Sequence, residues 1–133
     1  MMLQVGVKVL LKSDDNKYLF LKRAASFGSG GQQWDIPGGR INVDESLDDA
    51  LRREVREETD LELEQYELVA AQDIFAPDKD IHVVRLTYIG LAPKGKITIS
   101  DEHAEYTWMT RDEAIKQPLD SYLAVVFEGS NRL

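Results

Sequence analysis

The chain has 133 residues, with 24 Asp and Glu against 16 Lys and Arg and a formal net charge of −8. That length fits one domain with a real core, and that charge disfavours non-specific nucleic-acid binding, which needs a basic footprint. The absence of cysteine excludes disulfides and a thiolate zinc site, and His82 and His103 are too few for a histidine zinc centre.

In chain order, Leu3–Lys12 (LQVGVKVLLK) and Lys17–Arg23 (KYLFLKR) read as strands about the turn Ser13-Asp14-Asp15-Asn16. The apolar run at Met1–Leu11 is short, ends at Lys12 and lacks a small-residue cleavage site, so no signal peptide is expected. No segment is apolar enough to span a membrane, and a cytoplasmic location follows by default. Phe27–Gln33 (FGSGGQQ) reads as a glycine-rich loop, and Trp34-Asp35-Ile36-Pro37-Gly38-Gly39-Arg40 as a strand ending in a tight turn.

Residues 45–58 predict a helix. At about 100° per residue, Leu47, Ala50, Leu51 and Val55 form a buried stripe, and Glu54, Glu57 and Glu58 continue that same side. Asp48, Asp49, Arg52 and Arg56 point to water. The inner face therefore changes from apolar to carboxylate halfway along. Like charges on a half-buried face are costly unless compensated, and hard divalent cations such as Mg²⁺ or Mn²⁺, which take oxygen ligands, would compensate them. Arg53 lies four residues before Glu57 and can pair with it. An acidic helix is ordinarily just a solvated face; here the carboxylates sit on the apolar side, and a glycine-rich turn precedes them.

Beyond the helix, Glu64–Phe75 and Ile81–Leu91 read as long strands about the turn 76–80, with Lys96–Ile99 and Tyr106–Met109 as shorter ones. Arg111–Lys116 and Asp120–Glu128 predict helices, the second with Tyr122, Val125 and Val126 at helical spacing. Such an order implies an α/β fold, a sheet covered by helices on its faces.

Residues 39–61, GRINVDESLDDALRREVREETDL, contain Gly39, Glu45, Arg53, Glu54, Val55, Glu57, Glu58 and Leu61 at the spacing of a longer pattern. This resembles the signature of the Nudix hydrolases, enzymes that cut the pyrophosphate link of nucleoside diphosphates joined to another group. Eight of the nine fixed positions match, and the ninth, normally Gly, is Asp60. Asp tolerates the left-handed conformation that a helix C-terminus asks for, so the departure touches the turn rather than the acidic set.

The resemblance implies a Nudix-type α/β/α sandwich with a mixed sheet and a loop-helix-loop metal motif. It implies a metal set of Glu54, Glu57, Glu58 and the Gly38 carbonyl, joined by Glu102 from the loop before Tyr106-Thr107-Trp108-Met109, with Glu105 as second choice there. Glu102, Glu57 or Glu54 would be the general base, Arg53 the orienting residue and Glu45 a structural cap. His103 is expected only as a loop residue. Arg23, in Leu21-Lys22-Arg23-Ala24, resembles the strand-end Arg that meets substrate phosphate in the branch acting on oxidised guanine nucleotides, although an exposed strand-end Arg is an equal reading. Gly39 and Phe27 would lie beside the substrate, and Phe27, Trp34 or Phe75 could stack on a base.

The resemblance further implies a small-molecule nucleotide substrate, no stable nucleic acid, and a monomer or homodimer. The expected reaction is Mg²⁺-dependent hydrolysis of a nucleoside triphosphate or a modified one to the monophosphate and pyrophosphate. The alternatives are an ADP-ribose or nucleotide-sugar pyrophosphatase, for which Pro77, sixteen residues past Leu61, is a weak marker, and a catalytically silent nucleotide sensor. An RNA-cap hydrolase would be expected to carry more basic surface.

Overall fold

The computed structural model describes residues 1–24, 33–129 and 133. The strands β1 (Met2–Lys12), β2 (Tyr18–Arg23), β3 (Trp34–Asp35) and β4 (Gly38–Arg40) precede helix α1 (Leu47–Thr59). They are followed by β5 (Tyr66–Ala76), a 3₁₀ turn at Pro77–Lys79, β6 (Ile81–Leu91), β7 (His103–Met109), and helices α2 (Arg111–Ala114) and α3 (Ser121–Gly129). No described helix is long and apolar enough to cross a membrane.

Strand alternation builds two cores. Val7, Val9 and Leu11 of β1 and Leu19 and Leu21 of β2 face Ala50, Leu51 and Val55 of α1. Leu10, Tyr18 and Phe20 point to the opposite face, against Leu123 and Phe127 of α3 and Ala114 of α2. With side chains alternating along each strand, one sheet separates two helical layers, which is the α/β/α sandwich anticipated above. The sheet is mixed: β1 runs parallel to β6 along its whole length, whereas β5 pairs antiparallel with β6.

The sheet forks. β1 and β2 are in register at Lys12↔Tyr18, next to their hairpin turn. Further along, β4 takes the edge of β1 with Lys8↔Gly38, Val7↔Gly39 and Gly6↔Arg40, while β2 is flanked by β3 and β7. Trp34–Arg40 is therefore not one strand with a turn. It is two short strands that leave β2 for β1, and the paired glycines serve close packing rather than a reversal. A Cβ on Gly38, whose φ is +147°, would lie 2.0 Å from the Val7 carbonyl oxygen.

Helix α1 is bounded as its sequence allows. The Ser46 side chain accepts the Asp49 N–H at 3.1 Å, an N-cap with Asp48 and Asp49 in the first turn where the helix dipole favours them. Leu47 opens the helix and is 38% exposed, so the buried stripe starts later, at Ala50 and Leu51. Asp60 closes it in the left-handed conformation (φ 64°, ψ 20°), its N–H bonded to the Arg56 carbonyl. Lys96–Ile99 forms no strand. Thr98 donates to the Thr59 carbonyl at the end of α1, and Ile97 and Ile99 pack on the α1 core; the apolar alternation there follows a helix end, not a ladder.

Replacing Asp60 by Gly relieves the left-handed backbone. The variant should gain roughly 0.5–1 kcal/mol in urea unfolding; unchanged or lower stability would show that the Asp side chain contributes more than its backbone costs.

Candidate active site

The site lies in the fork, between β1 and β4 on one side and the ends of β2 and β7 on the other. There a cavity of about 580 Å³ is lined by Gly38, Gly39, Glu54, Glu57, Glu58, Arg53, Arg23 and Glu102, among others. The structure thus brings together the expected residues that it describes; Phe27 lies outside the described residues.

The helix delivers its three glutamates to different environments. Glu57 is exposed and Glu54 half-buried, while Glu58 is only 5% exposed. In the ladder, Val9 donates to the Pro37 carbonyl and Ile41 to that of Val5, so alternation turns the Gly38 amide away from β1. It donates to Glu58 Oε2 at 3.3 Å. Gly39 leaves room for Glu54, whose carboxyl would stand 2.7 Å from a Cβ there. Gly38 thus lets β4 pack tightly on β1, and Gly39 leaves the space that the Glu54 carboxyl occupies.

Arg53 ties the set together. Its Nε and Nη2 donate to both oxygens of Glu45 at 2.7 and 3.0 Å, its Nη1 to Glu54 at 2.9 Å and Glu57 at 3.3 Å, and its Nη2 also to the Arg40 carbonyl. The Glu57 pair expected from helical spacing is present, and the shorter, bidentate contact is to Glu45, whose carboxylate fits the guanidinium fork. Glu45 in turn accepts the Asn42 N–H at 2.9 Å. Hydrogen bonds from Arg53 hold the Glu45 carboxyl below the usual range, and Glu45 raises Arg53 further above its ordinary value.

Glu58 behaves oppositely. Burial pushes its pKa up to about 9, the adjacent Glu54 adds to the shift, and Lys8 and the Gly38 amide oppose it. His103 Nε2 stands 3.8 Å from Glu58 Oε1, and burial lowers the imidazole pKa. Both shifts favour the neutral forms of the two groups.

On the opposite rim, β7 starts at His103, earlier than the expected Tyr106, and a bulge beside Arg23 sets Arg23 opposite His103. Ala24 donates to the Glu102 carbonyl at 2.8 Å, which anchors Glu102 at the cavity beside Arg23. Glu105 instead pairs with Lys22 at 3.5 Å and does not line the cavity. His103 is a half-buried strand residue near Glu58 rather than a plain loop residue. Of the aromatics, Trp34 lies in the core under Lys22, and Phe75 stacks on His82 rather than lining the cavity.

Sequence reasoning missed Lys8 and Arg85, which also line the cavity. Lys8 donates to Asp35 at 2.9 Å, and Arg85 to Asp120 at 2.7 Å while lying over the Tyr122 ring. The signal available was a lone Lys or Arg inside an apolar strand, as in Val7-Lys8-Val9, where a cation needs a partner or a function.

Among the described residues no three acidic or imidazole side chains already converge as a cage, since the Arg53 guanidinium engages Glu54 and Glu57. The residues nonetheless fit a hard cation. All donors are oxygens, Glu58 is a buried carboxyl with no cation at hydrogen-bonding distance, and the Gly39 cradle keeps backbone beside Glu54. Glu58 should also make the metal-free protein pH-sensitive. It holds its proton up to about 9 in the fold but releases it near 4.5 when unfolded, so the folded state binds more protons between those values and stability falls as pH rises through them. In EDTA, unfolding free energy should fall by on the order of 1–3 kcal/mol from pH 5 to pH 9, and Glu58→Gln should flatten that slope. An equal slope in the variant would assign it elsewhere.

The sequence and the fold are shared with known proteins. The family profile of the NUDIX domain matches residues 2–128. The nucleoside triphosphatase NudI of Escherichia coli (strain K12) is 28% identical over 119 residues, which cover 83% of this chain and 84% of that protein. The m7GpppN-mRNA hydrolase NUDT17 of Danio rerio is 47% identical over 64 residues, 48% of this chain but only 21% of that protein. The crystal structure of the MutT protein from Methanosarcina mazei Go1 has a TM-score of 0.85 at 26% identity, covering 95% of this chain and 91% of that one. With nearly its whole length matched by the profile and the helix glutamates Glu54, Glu57 and Glu58 lining one cavity, this chain belongs to the Nudix hydrolase family.

Proposed function

We propose that the protein hydrolyses a nucleoside triphosphate, or a modified one, to the monophosphate and pyrophosphate with Mg²⁺ as cofactor. The observation that carries this reading is the facing of two unlike walls across one cavity: the acidic end of α1, and Arg23 with Glu102 on the other rim. Supporting the triphosphate class is NudI, by its name a nucleoside triphosphatase, aligned with this chain over more than four-fifths of each.

Glu54, Glu57, Glu58 and the Gly38 carbonyl would hold the metal, with Glu102 as a further ligand or the base. Bound there, Mg²⁺, for which Mn²⁺ could substitute, would offset charge on the pyrophosphate oxygens and lower the pKa of water. The chain's own groups do the rest. Arg53 keeps Glu54 and Glu57 oriented, and Arg23 receives a phosphate in its planar fork. A glutamate, with Glu102 or Glu57 as the candidates, takes the proton of the attacking water as the water oxygen bonds to phosphorus and the anhydride P–O bond breaks. Pyrophosphate then leaves.

Glu57→Gln and Glu102→Gln should each lower kcat by about 10²–10⁴ on the best triphosphate, with melting temperatures close to that of the parent. Glu105→Gln, outside the cavity, should change it by less than about twofold, as expected for an exposed pair. Activity should vanish in EDTA and return with Mg²⁺. Tight binding of a nucleotide with no metal-dependent turnover of any triphosphate would favour the sensor reading instead.

A further inference from the structure

Lys8 is a cation with no place in the reaction described above. It stands on the cavity floor among Gly6, Val83 and Ile74, with its side chain only 17% exposed. Its ammonium donates to Asp35 Oδ2 at 2.9 Å and to the Ile36 carbonyl at 3.3 Å. Asp35 is itself fixed, since its other oxygen accepts the Ile36 N–H at 2.8 Å. An ammonium carries three N–H donors and no acceptor. Among the described residues two have protein acceptors, and the third is left for whatever fills the cavity.

The Lys8 charge is matched by the Asp35 carboxylate at 2.9 Å while still favouring the charged form of Glu58, and the fixed pairing leaves its remaining N–H a directed donor. Beside it the floor is suited to a flat ring: Gly6 presents bare backbone, and a Cβ there would find only ordinary contacts at 3.7–3.8 Å. Val83 and Ile74, cross-strand partners on β6 and β5, continue that floor with aliphatic surface.

We propose that Lys8 is a specificity-determining residue. Resting on the triphosphate reading above, it selects nucleotides whose base presents a carbonyl oxygen to the floor, over those that present an amino group there. A keto oxygen accepts the third N–H, whereas an amino group brings a second donor against it and leaves both unpaired. Sites built around one hydrogen bond discriminate most strongly when the wrong partner leaves a buried group unsatisfied.

The test compares near-isosteric pairs that differ only at that position: ITP against ATP, and UTP against CTP, with Mg²⁺. In the parent protein kcat/KM should favour the keto member of at least one pair by about tenfold or more. Lys8→Met, which keeps the stem and removes the donors, should bring that ratio near one, chiefly through the keto substrate. Lys8→Met with Asp35→Asn avoids leaving a lone carboxylate and should behave alike if the single variant folds poorly. A parent with no keto preference overturns the proposal whatever the variants do. Equal loss on both members of a pair makes Lys8 a phosphate ligand and also overturns it. Absence of turnover for all four nucleotides overturns this inference, and the triphosphate reading falls with it when deoxynucleoside and oxidised guanine triphosphates are inert as well; turnover without the ratio change overturns this inference alone.

Discussion

One guanidinium organises the acidic end of this protein. Arg53 grips Glu45 with two hydrogen bonds, reaches Glu54 and Glu57, and touches the Arg40 carbonyl. It thereby joins the loop before α1, the body of the helix and strand β4. Glu54, Glu57 and Glu58 within two turns of α1, with Glu45 from the loop before it, would otherwise repel one another and splay. With Arg53 among them, Glu45 becomes a strut, and the others are held where oxygen ligands are useful. The interaction is half-buried, which keeps solvent from screening it as it would an exposed pair.

The backbone meets that cluster because of Gly38 and Gly39. A Cβ on Gly38 would collide with the β1 backbone at the Val7 carbonyl, and one on Gly39 would crowd the Glu54 carboxyl of the helix. Close approach gives Glu58 a partner in the Gly38 amide, yet burial still drives it toward the protonated form. On the metal-binding reading proposed above, a carboxyl that is reluctant to ionise alone would exchange its proton for a cation. On this account site strain and function have one origin: the acids are placed for a guest, at a cost in the metal-free state.

Much of this was legible in residues 39–61. Helical spacing put Glu54, Glu57 and Glu58 on the inner side, and Asp60 was expected in the left-handed conformation that it adopts. Short-range rules of this kind see caps, turns and faces. They did not see the fork. Nothing local tells Gly38–Arg40 to leave β2's neighbour and pair with β1, so those residues read as a turn. Likewise Ile97 and Ile99 alternate as in a strand, but the surface they cover belongs to α1. His103 and Lys8 escaped for a related reason. Each acquires meaning only from partners far along the chain, Glu58 for the first and Asp35 for the second. The sequence already ranked Glu102 ahead of Glu105, and the β2–β7 register adds the physical reason, since Glu105 faces Lys22 while Glu102 borders the cavity.

The central claim is that the buried carboxyl and its oriented neighbours form a site that exchanges a proton for a divalent cation. Calorimetric titration of the metal-free protein with Mn²⁺ at pH 7.5 (an experimental setting of about that value, between the two ionisation limits of Glu58), repeated in buffers of different ionisation enthalpy, measures this directly. The account predicts saturable binding with release of about one proton per protein, a release that Glu58→Gln abolishes. Binding with no proton release in the parent, or no binding at all, would contradict it.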